Sequence, residues 1–284
     1  MEKLDNTYVF QTDSALVRRV YETNNNYLVE CSKNGDADTC VIYFSSNDIY
    51  YPNSEEIFTK RIVNKDFYEW YHTRINRASK HIFIRDVFKQ WYLAGINTNI
   101  NSPEKLAAFL KQETQGYTDV ITLGSSAGGY AAILYGSLIN AQTVFAFNPQ
   151  FEIGSLLEQS SETINPLIFR LRNERDKYYD IVPFINEKTE IYYFYSKHSP
   201  WDKEQHKYIK PQHNLYQIPF SSNHHGIPFL KAALPVVLNS NGKELKKWAN
   251  KLHNPIAFTI KRIGLCKTIK GFISQLYQAY NKRM

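Results

Sequence analysis

Cysteine is scarce in this sequence, and its scarcity excludes two kinds of scaffold. The 284 residues include three cysteines, an odd number, at the widely separated positions Cys31, Cys40 and Cys266. Small secreted domains held by disulfide bonds are rich in cysteine, and structural zinc sites use pairs of ligands at short spacing. We therefore expect reduced thiols, no disulfide framework and no metal site.

Long apolar runs are missing as well. No stretch comes near the roughly 20 apolar residues that a transmembrane helix needs. The first residues, Met1 to Asp5, lack the basic segment and apolar core of a signal peptide. Because 43% of the residues are hydrophobic and the charges are dispersed, the composition is also unlike that of a disordered protein. We expect a folded protein that stays in the cytoplasm.

Acidic residues are nearly absent from the C-terminal segment. Residues 241–284 carry ten Lys or Arg against one acidic side chain, Glu244, a balance of +9. The preceding 240 residues carry 24 basic and 26 acidic side chains, a balance of −2. We predict a main domain over residues 1–240 and a basic amphipathic helical tail over residues 241–284. No nucleic-acid recognition motif accompanies the charge, so we expect no nucleic-acid partner.

A turn rich in glycine and serine stands at the centre of the chain. It joins a predicted buried strand over residues 120–123 to a predicted apolar helix over residues 130–138. The turn, Gly124-Ser-Ser-Ala-Gly128, fits the G-x-S-x-G nucleophile elbow of α/β hydrolases. In such an elbow Ser126 is the nucleophile, and the N–H of Ala127 points to where an oxyanion would form. The alternative is an ordinary glycine-rich turn.

Apolar or alternating runs recur on both sides of this turn and predict strands. They cover residues 8–11, 27–31, 40–44, 81–86, 120–123, 143–147, 190–195 and 214–220. The first three, separated by turns rich in Asn, Asp and Gly, predict antiparallel strands at the start of a sheet. The strand–helix–strand order over residues 81–150 predicts a mostly parallel sheet with helices on both faces. Residues 151–187 predict a helical insertion, which is either a lid or a plain crossover.

Polar loops follow the last two predicted strands. A serine hydroxyl needs a histidine to accept its proton and a carboxylate to orient that histidine. Ser126, Asp202 and His225 occur in the order serine, acid, histidine that α/β hydrolases use. His224 could replace its neighbour His225. A solvent-facing histidine and an ordinary loop aspartate are the alternatives.

Two earlier strand ends supply further candidates. Ser45 and Ser46 follow the strand over residues 40–44, where α/β hydrolases place the loop that gives the second oxyanion N–H. A polar turn with no such role is the alternative. Asp86 ends another strand and could orient the site, cap a turn or pair with Arg85.

Three motifs resemble those of a known group of proteins. The group comprises α/β-hydrolase-fold proteins of bacterial capsule and surface-glycan loci, of the meningococcal serogroup A capsule O-acetyltransferase type. More distantly, the motifs are similar to the acetyltransferase-like component of the accessory secretion system for serine-rich glycoproteins. The motifs lie at residues 88–97, 124–136 and 145–150. The resemblance covers about residues 40–232.

This resemblance implies an α/β-hydrolase fold with a site formed by Ser126, His225 and Asp202. It also implies acetyl-coenzyme A as acyl donor and a hydroxyl of a polysaccharide as acceptor. We therefore expect a polysaccharide O-acetyltransferase. A carbohydrate esterase or other serine hydrolase with the same residues is an alternative, because transfer and hydrolysis differ in how water is excluded. A non-catalytic glycan-assembly protein is the other.

The tail has an amphipathic pattern over residues 255–284. Apolar residues recur at three- and four-residue spacing between Lys261, Arg262, Lys267 and Lys270. This pattern predicts a helix with an apolar stripe flanked by cations. The helix either packs on the domain or attaches the protein to an anionic membrane surface or an anionic polysaccharide.

Overall fold

A seven-stranded sheet forms the centre of the computed structural model, which describes residues 8–155 and 176–281. The strands are β1 (Tyr27–Cys31), β2 (Asp36–Phe44), β3 (Ala78–Ile84), β4 (Asp119–Ser125), β5 (Thr143–Phe147), β6 (Glu190–Ser196) and β7 (Leu215–Phe220). They lie in the order β1-β3-β2-β4-β5-β6-β7, and only β1 runs antiparallel to its neighbour. The expected α/β-hydrolase fold, with its mostly parallel sheet, is confirmed.

The α-helices of the described residues lie around this sheet. They are α1 (Phe10–Asp13), α2 (Ala15–Thr23), α3 (Glu55–Phe58), α4 (Pro103–Glu113), α5 (Ala127–Leu138), α6 (Pro200–His206), α7 (Leu234–Leu238), α8 (Gly242–Trp248), α9 (Pro255–Ile263) and α10 (Leu265–Asn281). A π-helical turn covers Thr59–Val63, and 3-10 turns cover Asn47–Tyr50, Asp176–Tyr178, Val182–Phe184 and Lys231–Ala233. None of the helices in the described ranges combines the length and the hydropathy required to cross a bilayer.

Two apolar layers enclose the sheet, and its central strands are therefore buried on both faces. On β2, Ile42 points into the layer that contains α4 and α5, whereas Tyr43 points into the layer that contains α7, α8 and α9. Helix α4 begins with a capped first turn: Ser102 accepts a hydrogen bond from the N–H of Lys105 at 3.2 Å, and proline occupies the first turn. Helix α5 is buried along nearly its whole length.

Two predictions for the N-terminal strands are wrong. Residues 8–11 do not form a strand, because the chain turns into α1, where the carboxylate of Asp13 accepts a hydrogen bond from the N–H of Val9 at 2.7 Å. Strands β1 and β2 are not paired with each other, because β3 lies between them. Among the described strands, β1 and β3 are the antiparallel pair.

The predicted helical insertion over residues 151–187 lies largely outside the described residues. Of this range, the structure describes residues 151–155 and 176–187. Those parts contain the 3-10 turns Asp176–Tyr178 and Val182–Phe184 and an antiparallel bridge between Glu152 and Asp180.

The C-terminal segment contributes side chains to the apolar layer on one face of the sheet. Leu245, Trp248 and Phe258 are buried in the same layer as the sheet residues Phe194 and Phe220. The predicted boundary at residue 240 stays a prediction. The large exposed apolar surface of this segment lies mainly on α10.

Candidate active site

The turn between β4 and α5 holds Ser126 in the left-handed region, with φ 54° and ψ −123°. A non-glycine residue at positive φ costs on the order of 1–3 kcal/mol and persists only where its surroundings hold it. The N–H of Ser126 donates to the carbonyl of Phe147 at 2.9 Å. Glycine is required on either side, because a Cβ on Gly124 would lie 2.1 Å from the Gly128 carbonyl oxygen, and one on Gly128 would lie 2.4 Å from that of Phe44. Ser126 thus has the geometry of a nucleophile elbow.

The structure brings Ser126, His225 and Asp202 together. Ser126 Oγ lies 2.9 Å from His225 Nε2, and His225 Nδ1 lies 2.8 Å from Asp202 Oδ1. Because a carboxylate only accepts hydrogen bonds, Nδ1 carries the proton and Nε2 is the acceptor for the serine hydroxyl. Asp202 is 1% exposed, whereas the side chain of His225 is 34% exposed and open to the cavity beside it. This arrangement can activate a serine hydroxyl.

Each partner of Ser126 is held by the end of a different strand. Asp202 follows β6 in the first turn of α6, where Ser199 accepts its N–H. His225 follows β7 in a turn that Gly226, at φ 113°, closes. Buried Asn148 fixes this turn, because its side-chain amide donates to the Gly226 carbonyl at 2.6 Å. Sequence reasoning did not single out Asn148, although it lies in the 145–150 motif.

The imidazole of His224 lies elsewhere. His224 is exposed and lines the cavity, but its hydrogen bonds to the described residues are made by its backbone. Ser196 donates to its carbonyl oxygen at 2.6 Å. In the described chain, the imidazole that contacts Ser126 is that of His225.

Asp86 organises a loop and does not contact Ser126 or His225. Its carboxylate accepts four backbone N–H groups, from Phe88, Lys89, Gln90 and Tyr92, at 2.7–3.1 Å. Burial raises the pKa of Asp86 to about 6, although these N–H groups act in the opposite direction. Of the three roles expected for this residue, the contacts of its carboxylate show the capping of a loop. Pairing with Arg85 does not occur, because Arg85 bonds to Asp66 at 2.8 Å.

Of the expected oxyanion donors, the N–H groups of Ser45 and Ser46 already have acceptors. The N–H of Ser45 donates to the carbonyl of Ile84 at 3.0 Å, and the N–H of Ser46 donates to Glu69 Oε2 at 2.5 Å. Both predicted donors are therefore already engaged, because the loop after β2 pairs with the end of β3 and with a carboxylate. The N–H of Ala127, in contrast, has no acceptor among the described residues.

Gln150 is a neighbour of Ser126 that sequence reasoning missed. Its side-chain Nε2 lies 3.4 Å from Ser126 Oγ, and its Oε1 accepts the indole N–H of Trp91 at 3.1 Å. Both side chains are buried. The sequence signal was their presence in the 88–97 and 145–150 motifs, which carried no indication that the two would meet.

A cavity of about 660 Å³ opens beside Ser126 and His225. Its lining combines two cations, Lys89 and Lys231, with carboxylates and aromatic rings. Burial lowers the pKa of Lys89 to about 8. Desolvation raises the pKa of Glu69, which also lines the cavity.

Other potential sites lack this chemistry. A groove of about 810 Å³ between α8 and α9 is rich in lysine, but Ser126, His225 and Asp202 do not line it. Within the described ranges, no group of three or more His, Cys, Asp or Glu side chains could hold a metal ion.

Comparisons with known proteins give distant likenesses only. No protein-family model matches this chain, and no curated protein matches it. Among solved structures, the capsule O-acetyltransferase of Neisseria meningitidis serogroup A is 19% identical with a TM-score of 0.46, over 64% of this chain and 76% of that one. The glycosylation-associated protein Gap123 complex of Streptococcus agalactiae is 13% identical with a TM-score of 0.44, over 68% of this chain and 39% of that one.

A third solved structure is an S-formylglutathione hydrolase from Agrobacterium tumefaciens. It is 13% identical with a TM-score of 0.43, over 79% of this chain and 90% of that one. These likenesses are too remote to assign an activity or a substrate to this chain. An assignment depends on the residues of the site.

Proposed function

We propose that this protein is a serine acyltransferase that moves an acetyl group from acetyl-coenzyme A to a hydroxyl of a capsular or other surface polysaccharide. The observation that carries the proposal is the hydrogen-bonded series Ser126, His225 and Asp202 at the wall of an open cavity. The acetyl thioester supplies an activated carbonyl carbon. Residues of this chain supply the nucleophile, the proton transfers and the stabilisation of charge.

In the first half of the reaction, His225 Nε2 takes the proton of the Ser126 hydroxyl while Oγ forms a bond to the carbonyl carbon. Asp202 holds the imidazole in place and stabilises the imidazolium that forms. The N–H of Ala127 donates to the oxygen that becomes negative. When the carbon–sulfur bond breaks, His225 gives its proton to the departing sulfur, and Ser126 carries the acetyl group.

In the second half, His225 Nε2 takes the proton of the acceptor hydroxyl, and the acceptor oxygen attacks the acetyl carbon. The bond between that carbon and Ser126 Oγ then breaks, and His225 returns the proton to Oγ. The serine is restored and the acetyl ester is on the acceptor. Asp202 acts in the same way in both halves.

The lining of the cavity supports a phosphorylated donor and a sugar acceptor. Lys89 and Lys231 would bind phosphate groups of coenzyme A, since ammonium groups pair with phosphate oxygens. Trp201 and Tyr51, which are 43% and 64% exposed, offer flat apolar faces to a sugar ring at the cavity. The ring of Trp201 lies 5.9 Å from that of His225, next to the reacting atoms.

A carbohydrate esterase is the second candidate, because water in place of the sugar hydroxyl turns the same steps into hydrolysis. The exposed edge of His225 admits either acceptor. The two are separated by following acetyl-coenzyme A with and without a soluble capsular oligosaccharide, and by measuring free acetate and acetylated sugar. Acetylated sugar as the main product supports the transferase. Acetate alone, at an unchanged rate, contradicts it and supports the hydrolase.

A further inference from the structure

We propose that the side-chain amide of Gln150 is the second hydrogen-bond donor to the oxyanion, and that Trp91 holds the amide in its donating orientation. This inference rests on the proposed acyl transfer at Ser126. It assigns to Gln150 a catalytic role and to Trp91 a positioning role.

The donors available around Ser126 lead to this assignment. Acyl transfer builds negative charge on the carbonyl oxygen, and sites of this kind stabilise it with preorganised donors. The Ala127 N–H is free for this purpose within the described chain, whereas the N–H groups of Ser45 and Ser46 are bonded to Ile84 and to Glu69. One donor is therefore missing from the set that the fold ordinarily supplies.

Gln150 lies where the missing donor is needed. Its Nε2 is 3.4 Å from Ser126 Oγ. The oxyanion is attached to the carbon that bonds to Oγ, so it forms within reach of the same amide. Gln150 is 1% exposed, so its amide is largely shielded from competing solvent. Loss of such a donor in other acyl-transfer sites lowers kcat by about 10²–10³-fold.

Trp91 determines which end of the amide faces Ser126. An indole N–H can only donate, so the amide end that meets Trp91 Nε1 at 3.1 Å must be the oxygen. The NH₂ end is then directed at Ser126. A flipped amide would place two donors against each other at Trp91 and an acceptor next to the developing negative charge.

The backbone conformation at Trp91 is energetically unfavourable. Trp91 has φ 52°, a conformation that bulky residues rarely adopt. The loop keeps this conformation because Asp86 accepts the N–H groups of its neighbours Gln90 and Tyr92 at 2.7 and 2.9 Å. Asp86 therefore acts on the site through Trp91.

The experiment compares Gln150→Met and Gln150→Glu with the full-length wild-type protein. Both changes keep the length of the side chain and remove its N–H donors. The substrates are acetyl-coenzyme A and p-nitrophenyl acetate, because the second reports oxyanion stabilisation without any acceptor sugar. We expect kcat to fall by about 10²–10³-fold with both substrates and KM to change by less than about threefold. The melting temperature of Gln150→Met should fall by no more than about 2–6 °C, because the buried N–H of Trp91 loses its acceptor.

Two further variants make the result specific. Gln112 is exposed on α4 and does not line the cavity, so Gln112→Glu is the control for added charge and should keep its activity. Trp91→Phe should lower kcat less than the Gln150 variants do. Adding it to Gln150→Met should cause little further loss, because the two side chains act as one unit.

Several results would overturn the assignment. Unchanged kcat in both Gln150 variants, or an effect on KM alone, would remove Gln150 from the oxyanion site. If Glu69→Ala raises kcat while Gln150→Met has no effect, the released Ser46 N–H is the second donor instead. If the wild type shows no Ser126-dependent turnover of either ester, the proposed function fails, and this inference fails with it.

A second proposal rests on a separate part of the molecule: we infer that α10 binds the surface of an anionic lipid bilayer. The large apolar side chains of this helix face outward and are 45–66% exposed. They are Leu265, Ile269, Phe272, Ile273, Leu276 and Tyr277. The spacing of three and four residues places most of them on one face.

Small and polar residues, not the apolar ones, attach α10 to the domain. Thr268 is buried, Gly271 meets Ala232, and the Gln275 side chain accepts the N–H of Lys231 at 3.3 Å. A Cβ on Gly271 would lie 2.5 Å from the Ala232 Cβ, so glycine permits this close contact. An ordinary surface helix does the opposite, turning its apolar stripe to the core.

The positive charge of the C-terminal segment selects the occupant of the stripe, because residues 241–284 carry ten Lys or Arg against one acidic residue. Lys267 and Lys270 lie on α10, and Lys261 lies on the preceding helix α9. Pairing with a second copy through this stripe would bring these like charges together. An anionic bilayer instead accepts the apolar side chains and attracts the cations, which is the behaviour of interfacial amphipathic helices.

Vesicle sedimentation tests this proposal with the full-length protein. Vesicles of phosphatidylcholine mixed with phosphatidylserine should bind it, and those of phosphatidylcholine alone should bind it less. High salt should weaken binding to the vesicles that contain phosphatidylserine. Ile269→Ser combined with Phe272→Ser should weaken binding by roughly 100-fold, about tenfold for each side chain withdrawn from lipid. Tyr208→Ser, another exposed aromatic position, is the control and should bind normally.

The turnover of p-nitrophenyl acetate should be the same in the double variant and the wild type, which shows that the fold is intact. Absence of vesicle binding by the wild type, or equal binding by the double variant, would overturn the proposal. A wild-type dimer that the double variant converts to a monomer, without vesicle binding, would assign the stripe to a second copy. Binding to an anionic polysaccharide without binding to vesicles would also contradict the proposal.

Discussion

Replacing Asp86 with asparagine should loosen the loop that carries Trp91. The two carboxylate oxygens of Asp86 each accept two backbone N–H groups. Asparagine keeps one oxygen and presents an NH₂ group in place of the other, so two buried N–H groups lose their acceptor. At about 1–3 kcal/mol for each unsatisfied group, the free energy of unfolding falls by roughly 2–6 kcal/mol.

For a chain of this size, that loss lowers the melting temperature by about 4 to 12 °C. The kcat for p-nitrophenyl acetate should fall as well, since Trp91 no longer fixes Gln150. Thermal denaturation and initial rates measure the two effects on the same preparation. Asp48→Asn is the control, because Asp48 is an exposed carboxylate at the same cavity.

The pH dependence gives a further check. Folding raises the pKa of Asp86 from 3.8 to about 6 because burial disfavours its charged form. The stability contributed by this raised pKa is fully present below about pH 4 and is lost as pH rises through about 6, by up to about 3 kcal/mol. The deficit of Asp86→Asn relative to the wild type should therefore be larger near pH 4.5 than near pH 7.5. A variant with wild-type melting temperature and kcat, or a deficit that grows with pH, would refute this reasoning.

Three other predictions concern the cavity. His225→Ala should lower kcat by on the order of 10³-fold or more, whereas His224→Ala should leave it within a few-fold; the reverse order in a rate assay would move the base to His224. Asp202→Asn should lower kcat by about 10³–10⁴-fold with little change in KM, and a silent variant would show that another group orients the imidazole. The KM for acetyl-coenzyme A should rise as pH passes about 8, where Lys89 loses its charge. Lys89→Met should have a high KM that no longer depends on pH in this range, and wild-type KM values in that variant would contradict phosphate binding by Lys89.

Local patterns were enough to predict the fold class and the central turn. The glycines around Ser126 are needed because backbone atoms of β2, β4 and α5 approach closely there, and this requirement is visible in the sequence itself. Asp202 and His225 can be predicted because parallel strands place the loops that follow them at one edge of the sheet. Their chain order then matched the fold.

Contacts between distant segments could not be read in this way. Gln150 meets Trp91 across 59 residues, and Glu69 reaches the N–H of Ser46 across 23. Both depend on the final arrangement of loops, which no periodicity encodes. The segment over residues 8–11 was misread because a few apolar residues suit a strand or a helix equally, and Asp13 decided for the helix.

Covalent acetylation of Ser126 is the most direct measure of the account. The wild-type protein is mixed with acetyl-coenzyme A without acceptor, quenched within the first turnover and examined by intact and peptide mass spectrometry, with Ser126→Ala alongside. We predict one acetyl group per chain, located on the peptide that contains Ser126, and none in the variant. Release of coenzyme A without acetylated Ser126, or equal labelling and turnover in Ser126→Ala, would contradict an acyl-enzyme at this serine.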